Sequence, residues 1–153
     1  MAALTLPNEL LHAFEREPGR FQGAPEAERL VVQRVGRPLP RGSPDYWEGR
    51  CAVTGLGVRE LLRASHIKPW AECETDAERL DVFNGFLLEA RIDAVFDQGF
   101  VTVADDGRVV AAAELGTDAR ELLGLNEGRR VAWLDQQHRA YLAWHRSRVF
   151  RGG

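Results

Sequence analysis

Residues 84–99 read NGFLLEARIDAVFDQG, and the apolar pattern changes period part-way along this stretch. Gly85 to Leu88 reads as extended chain, whereas Ile92, Val95 and Phe96 recur at helical spacing and Gly99 supplies a stop. Upstream, RASHIKPW (63–70) carries a second strand. Its end is predicted near Lys68, because Pro69 has no N–H to give to a ladder. Strands that precede a helix in this way point to the α+β class.

The remaining segments fill in around this unit. RCAVTG (50–55) reads as a strand running into a glycine turn, and AECETDAERLD (71–81) as a polar loop or helical turn. FVTVADDGRVV (100–110) is a hairpin, two β-rich runs flanking a D-D-G turn. TDARELLGL (117–125) predicts a brief helix and LDQQHRAYLAWHRSRVF (134–150) a longer amphipathic one. On the latter, His138 and His145 share a stripe with Tyr141 and Leu142 and are expected to be packed rather than catalytic. Trp70, Phe83, Phe96 and Phe100 are expected in the core. At the other end, PNELLHAFERE (7–17) predicts a short helix with His12 at the surface. From Pro18 to Pro44 only RLVVQRV (29–35) reads as ordered, and RPLPRGSPDYWEGR (37–50) is rich enough in proline and glycine to form a mobile arm.

With 153 residues, 44% of them hydrophobic, one ordinary core is expected rather than two. No run approaches the roughly 18 apolar residues needed to cross a bilayer, and the first residues lack a secretory pattern. A soluble cytoplasmic protein without a membrane partner is expected. Cys51 and Cys73 form no C-x-x-C pair, which argues against a disulfide framework or a zinc ribbon. The net charge of −3 conceals segregation. Residues 29–68 hold eight basic side chains against three acids, and residues 128–153 hold six against one. All the basic residues except Lys68 are arginine, whose planar fork suits phosphate. Arg50, Arg59, Arg63, Lys68, Arg146 and Arg148 are the candidate phosphate contacts.

Chemistry concentrates at His66, Asn84 and Asp93, spaced by 18 and 9 positions. A histidine on one strand, an asparagine where the next strand begins and an acid on the first turn of the following helix could meet in one pocket. They would supply a general base, an orienting amide and a metal ligand, a set able to hydrolyse a phosphodiester. Each residue also has a structural reading: a strand histidine, a turn-forming N-G and a first-turn acid that complements the helix dipole.

CAVTGL (51–56), ASHIKPW (64–70), ERLDVFNGFLLEARIDAVFDQG (78–99) and, more weakly, HRAYLAWHRSRVF (138–150) together resemble the HNH endonuclease family. The resemblance implies a nuclease domain over residues 29–150, preceded by an N-terminal helix and linker over 1–28. It implies a ββα-metal core, here with an added hairpin and flanking helices. It also implies divalent-cation-dependent cleavage of duplex DNA, leaving 5′-phosphate and 3′-hydroxyl ends, in a restriction-type role. His66 matches the family's first histidine, the general base, and Asn84 its central asparagine, which holds the loop and orients the histidine ring. Asp93 stands where many members carry the last histidine, a metal ligand whose hard oxygen here favours Mg²⁺ or Mn²⁺. Ser65 occupies the position of a second ligand in many members, although a hydroxyl coordinates poorly. Asp97, one helical turn after Asp93, is a further candidate ligand. One such centre cuts one strand, so double-strand breaks would call for a homodimer. The alternative is a non-catalytic DNA-binding or protein-interaction module that keeps the fold.

Overall fold

In a computed structural model, residues 46–152 other than Glu127 are described. The first strand, β1 (Leu62–His66), pairs antiparallel with β2 (Gly85–Glu89), and the register sets His66 opposite Gly85 and Leu62 opposite Glu89. Between them lie a 3₁₀ turn at Trp70–Glu72 and a five-residue helix, α1 (Asp76–Leu80). Thr75 caps α1 by accepting from the Glu78 N–H at 3.1 Å, which offsets part of the weakness of so short a helix.

Every residue of β2 is buried, in keeping with its apolar run. Phe86 meets Trp47 at 5.6 Å and Phe96 at 5.6 Å between ring centroids, so this side chain joins the N-terminal aromatic cluster to the following helix. That helix, α2 (Ala90–Asp97), packs against both strands and completes a ββα unit. Its end is set by Gly99 at φ +80°, where Gly99 N–H reaches Phe96 O and Phe100 N–H reaches Val95 O. These two bonds satisfy carbonyls that the helix would otherwise leave unpaired.

A second hairpin follows, β3 (Val101–Val103) with β4 (Val109–Ala111), then α3 (Thr117–Leu122) and α4 (Arg139–Arg148). The last helix is fastened to the ββα unit by His145, whose ring stacks on Phe96 at 4.0 Å. The same ring bonds the Thr102 hydroxyl through Nδ1 at 2.8 Å and the Phe96 carbonyl through Nε2 at 3.0 Å. The architecture is α+β, with the expected ββα core, added hairpin and flanking helices.

Two expectations are corrected. Residues 50–55 form no strand: Cys51 N–H bonds Leu56 O and Gly55 N–H bonds Cys51 O, closing a turn. Ala52 N–H reaches the sheet at Leu87 O, and Thr54 reaches it through its hydroxyl, which donates to Glu89 at 2.8 Å. Within the stretch read as a mobile arm, Tyr46 and Trp47 are 2% and 1% exposed and belong to the core. The helix predicted at 7–17 with His12, and the ordered run at 29–35, lie outside the described residues.

Candidate active site

β1 ends at His66, and the ring Nε2 lies 2.8 Å from the Arg79 carbonyl oxygen. A carbonyl only accepts, so Nε2 carries the proton and donates it. In the neutral ring Nδ1 is then the basic nitrogen. The accepting carbonyl belongs to the last turn of α1, where helix carbonyls lack intrahelical partners and the dipole end is negative. Trp70 stands edge-on to the ring at 5.6 Å and limits its rotation.

Asn84 immediately precedes β2 and is 0% exposed. Its Oδ1 accepts from Lys68 N–H at 2.8 Å, while Nδ2 donates to Glu78 O at 3.0 Å and Lys68 O at 3.3 Å. One acceptor facing an N–H and one donor facing two carbonyls leave no ambiguity about the amide's orientation. Asn84 thus ties the start of β2 to both ends of the 68–78 loop. Glu78 O and Arg79 O, consecutive carbonyls of α1, serve Asn84 and His66 respectively. Cys73 completes the floor, with its thiol 3.4 Å from Nδ2 and pushed up to about 11, mainly by burial, so it stays protonated.

The proposed metal-binding residues are distributed differently. Asp93 is half-buried and Asp97 exposed, one turn apart on α2. Ser65 is 5% exposed and follows strand alternation, so its side chain leaves β1 on the face opposite His66. Among the described residues no group of three or more His, Cys, Asp or Glu side chains is placed to hold a metal ion. A hard cation that keeps several waters needs only one or two carboxylates plus substrate phosphate. Asp93 and Asp97 could supply that number of carboxylates.

Several of the candidate phosphate contacts are engaged within the protein. Lys68 Nζ pairs with Glu78 at 3.1 Å and lies 5.9 Å from the Trp144 ring centre. The Glu78 carboxyl is held below its usual range, first by the Glu74 N–H and then by Lys68. Arg146 bonds Val103 O at 2.8 Å and Asp105 at 3.0 Å, and Arg50 bonds Gly55 O at 3.1 Å. Arg59, Arg63 and Arg148 are exposed.

Residues 51–104 match the sequence model of a family described as HNH endonuclease. The match covers about a third of the chain, and over that third the segment is similar to an HNH domain. It holds β1, α1, β2, α2 and β3, with His66, Asn84 and Asp93 all inside the match. A solved structure of a modification-dependent TagI restriction endonuclease aligns with TM-score 0.44 at 20% identity, covering 74% of this chain and 41% of that one. The comparison with curated proteins found no match. Two contacts around the candidate site carry no sequence signal of their own. The Arg79 carbonyl is one, and the bond from Tyr141 OH to Asp81 at 2.7 Å, which links α4 to the loop, is the other.

Proposed function

We propose that this chain is a divalent-metal-dependent DNA endonuclease that hydrolyses phosphodiester bonds, acting in a restriction-type role. The observation that carries this reading is the His66 ring, held by the Arg79 carbonyl within the family-matching segment. In this reading His66 Nδ1 takes a proton from the attacking water. The ring becomes an imidazolium, and the bond from Nε2–H to the Arg79 carbonyl strengthens as its donor gains charge. Asn84 holds the loop on which that carbonyl sits, so the ring keeps one orientation through turnover. Asp93, with Asp97 one turn away, would hold Mg²⁺ or Mn²⁺, and Ser65, next to His66 in the chain, offers only a neutral hydroxyl. When bound, such an ion supplies positive charge for the phosphate and the departing 3′-oxygen. Arg63 and Arg148, with Arg50, Arg59, Lys68 and Arg146, would meet the flanking phosphates, Arg50, Lys68 and Arg146 by exchanging internal partners for DNA.

Nicking of supercoiled plasmid with Mg²⁺, Mn²⁺ or EDTA tests the reading. His66→Ala is expected to slow nicking by at least ~10²-fold, as for loss of a general base, with little change in melting temperature. Equal rates in mutant and wild type would end the assignment. A second reading, a non-catalytic DNA-binding or protein-interaction module, draws support from the lack of a preassembled ligand group among the described residues. It expects salt-sensitive duplex binding without cleavage in either metal.

A further inference from the structure

Arg79 touches the catalytic segment twice, through its backbone and through its side chain. Its carbonyl receives the His66 Nε2–H. Its guanidinium grips the chain between β1 and α1: Nη2 donates to Cys73 O at 2.8 Å, Nε to Trp70 O at 3.4 Å and Nη1 to Asp76 Oδ1 at 2.8 Å. The guanidinium carbon also lies 5.4 Å from the centre of the Trp70 ring, and that ring stands edge-on to His66. Arg79 therefore sets both the acceptor that fixes the His66 tautomer and the aromatic wall that limits the ring's rotation.

We propose that Arg79 is a positioning residue for His66, and that its guanidinium acts by clasping the Trp70–Cys73 turn rather than by contacting DNA. The assignment rests on His66 being the general base. A helix of five residues does not hold its own last carbonyl in place. The Thr75 cap steadies the start of α1, Asn84 holds Glu78 O and the Glu78 carboxylate takes the Glu74 N–H, while the arginine fork ties the Arg79 end to the Trp70–Cys73 turn. The three acceptors diverge around a planar group, an arrangement a guanidinium spans and an ammonium does not. Asp76, a quarter exposed, balances the charge, so the side chain is committed internally.

The test compares wild type, Arg79→Ala and Arg79→Lys by ¹⁵N-histidine NMR, single-turnover plasmid nicking and binding to a short uncleavable duplex. The His66 signals are assigned by their loss in His66→Ala. Wild-type His66 is expected to show one neutral tautomer with the proton on Nε2, and both Arg79 variants a mixture. Nicking is expected to slow by about 10²-fold in both variants, the scale for a catalytic group displaced by about 1 Å, with duplex affinity held within about twofold. Lysine is expected not to rescue, and because it keeps the charge and the stem it also guards against a variant that fails to fold. An unchanged tautomer in a folded variant overturns the proposal. So does full rescue by lysine, or a rate loss matched by weakened duplex binding. If wild type does not nick DNA, the nuclease reading falls, and the tautomer measurement still decides whether Arg79 orients His66.

Discussion

Asn84 shows how much one side chain decides here. Removing it in Asn84→Ala takes the acceptor from the half-buried Lys68 N–H and leaves Lys68 O and Glu78 O with only the longer bonds from Cys73 Sγ at 3.5 Å and Asp81 N–H at 3.4 Å. The expected loss is about 1–3 kcal/mol of stability, read from denaturant midpoints at constant slope. Asn84→Asp should be no milder, because a carboxylate oxygen would face two carbonyls where Nδ2 donated. A midpoint close to wild type for either variant would show that the loop is held by other means. In the proposed mechanism Asp93 is the residue that would hold the metal. Mn²⁺ titrated calorimetrically should bind weakly without DNA and more tightly with an uncleavable duplex, since DNA and metal that favour each other must do so reciprocally. Asp93→Ala should abolish the DNA-dependent gain. If it binds Mn²⁺ as wild type does in both settings, Asp93 is not a ligand.

At the scale of elements, the passage from β2 to α2 is the part most plainly written in the residues. The apolar run buries on both faces, the helical stripe Ile92, Val95 and Phe96 turns inward, and Gly99 ends the helix as its spacing predicts. Gly99 is required for two independent reasons. Its φ of +80° strains any L side chain, and a Cβ there would run into the Val149 carbonyl oxygen at the end of α4. Gly99→Ala should therefore cost at least about 1–3 kcal/mol. It should also loosen α4, seen as faster amide exchange at Val149 and Phe150, whose N–H groups bond His145 O. Uniform protection in the variant would contradict the coupling. The strand expected at 50–55 failed because β-propensity describes fit to a pleated neighbour. Here the chain closes on itself between Cys51 and Leu56 and offers the sheet a single N–H.

Across the whole molecule, the packing of α4 against the ββα unit rests on two buried, neutral histidines. His145 bridges Thr102 and Phe96 O, while His138 accepts the Asp135 N–H at Nδ1 and is ringed by Tyr46, Trp47, Phe83 and Phe86. Burial is the main cause that lowers both below the ordinary histidine value. The unfolded chain then binds protons that the folded chain refuses. Stability is fully present above about pH 6.5 and falls as the pH drops from there towards the depressed folded values. Melting temperature measured between pH 7.5 and 5 should fall on acidification, and His145→Gln, which keeps a donor and an acceptor, should flatten the slope. An unchanged slope in that variant would assign the effect to other groups. No helix among the described residues is long and apolar enough to cross a membrane.

The order of elements around His66, the α+β class, the core aromatics Phe83 and Phe96 and the stop at Gly99 were all legible in the residues, because each depends on local periodicity, chain geometry or a missing Cβ. The burial of Tyr46 and Trp47 was not, since proline and glycine nearby describe the backbone and say nothing about which distant face receives a side chain. The same limit applied to the basic residues. Lys68 and Arg146 read as cations in the sequence, and only the fold sets them against Glu78, Val103 O and Asp105. Asn84 could be a turn-former or a buried tie, and its partners, 6 to 16 positions away, decided for the tie. The hydrogen bond that sets the His66 tautomer lay furthest out of reach. Every residue carries the same backbone carbonyl, so nothing in the letters marks Arg79 O, and only the return of the chain through α1 brings it to the ring.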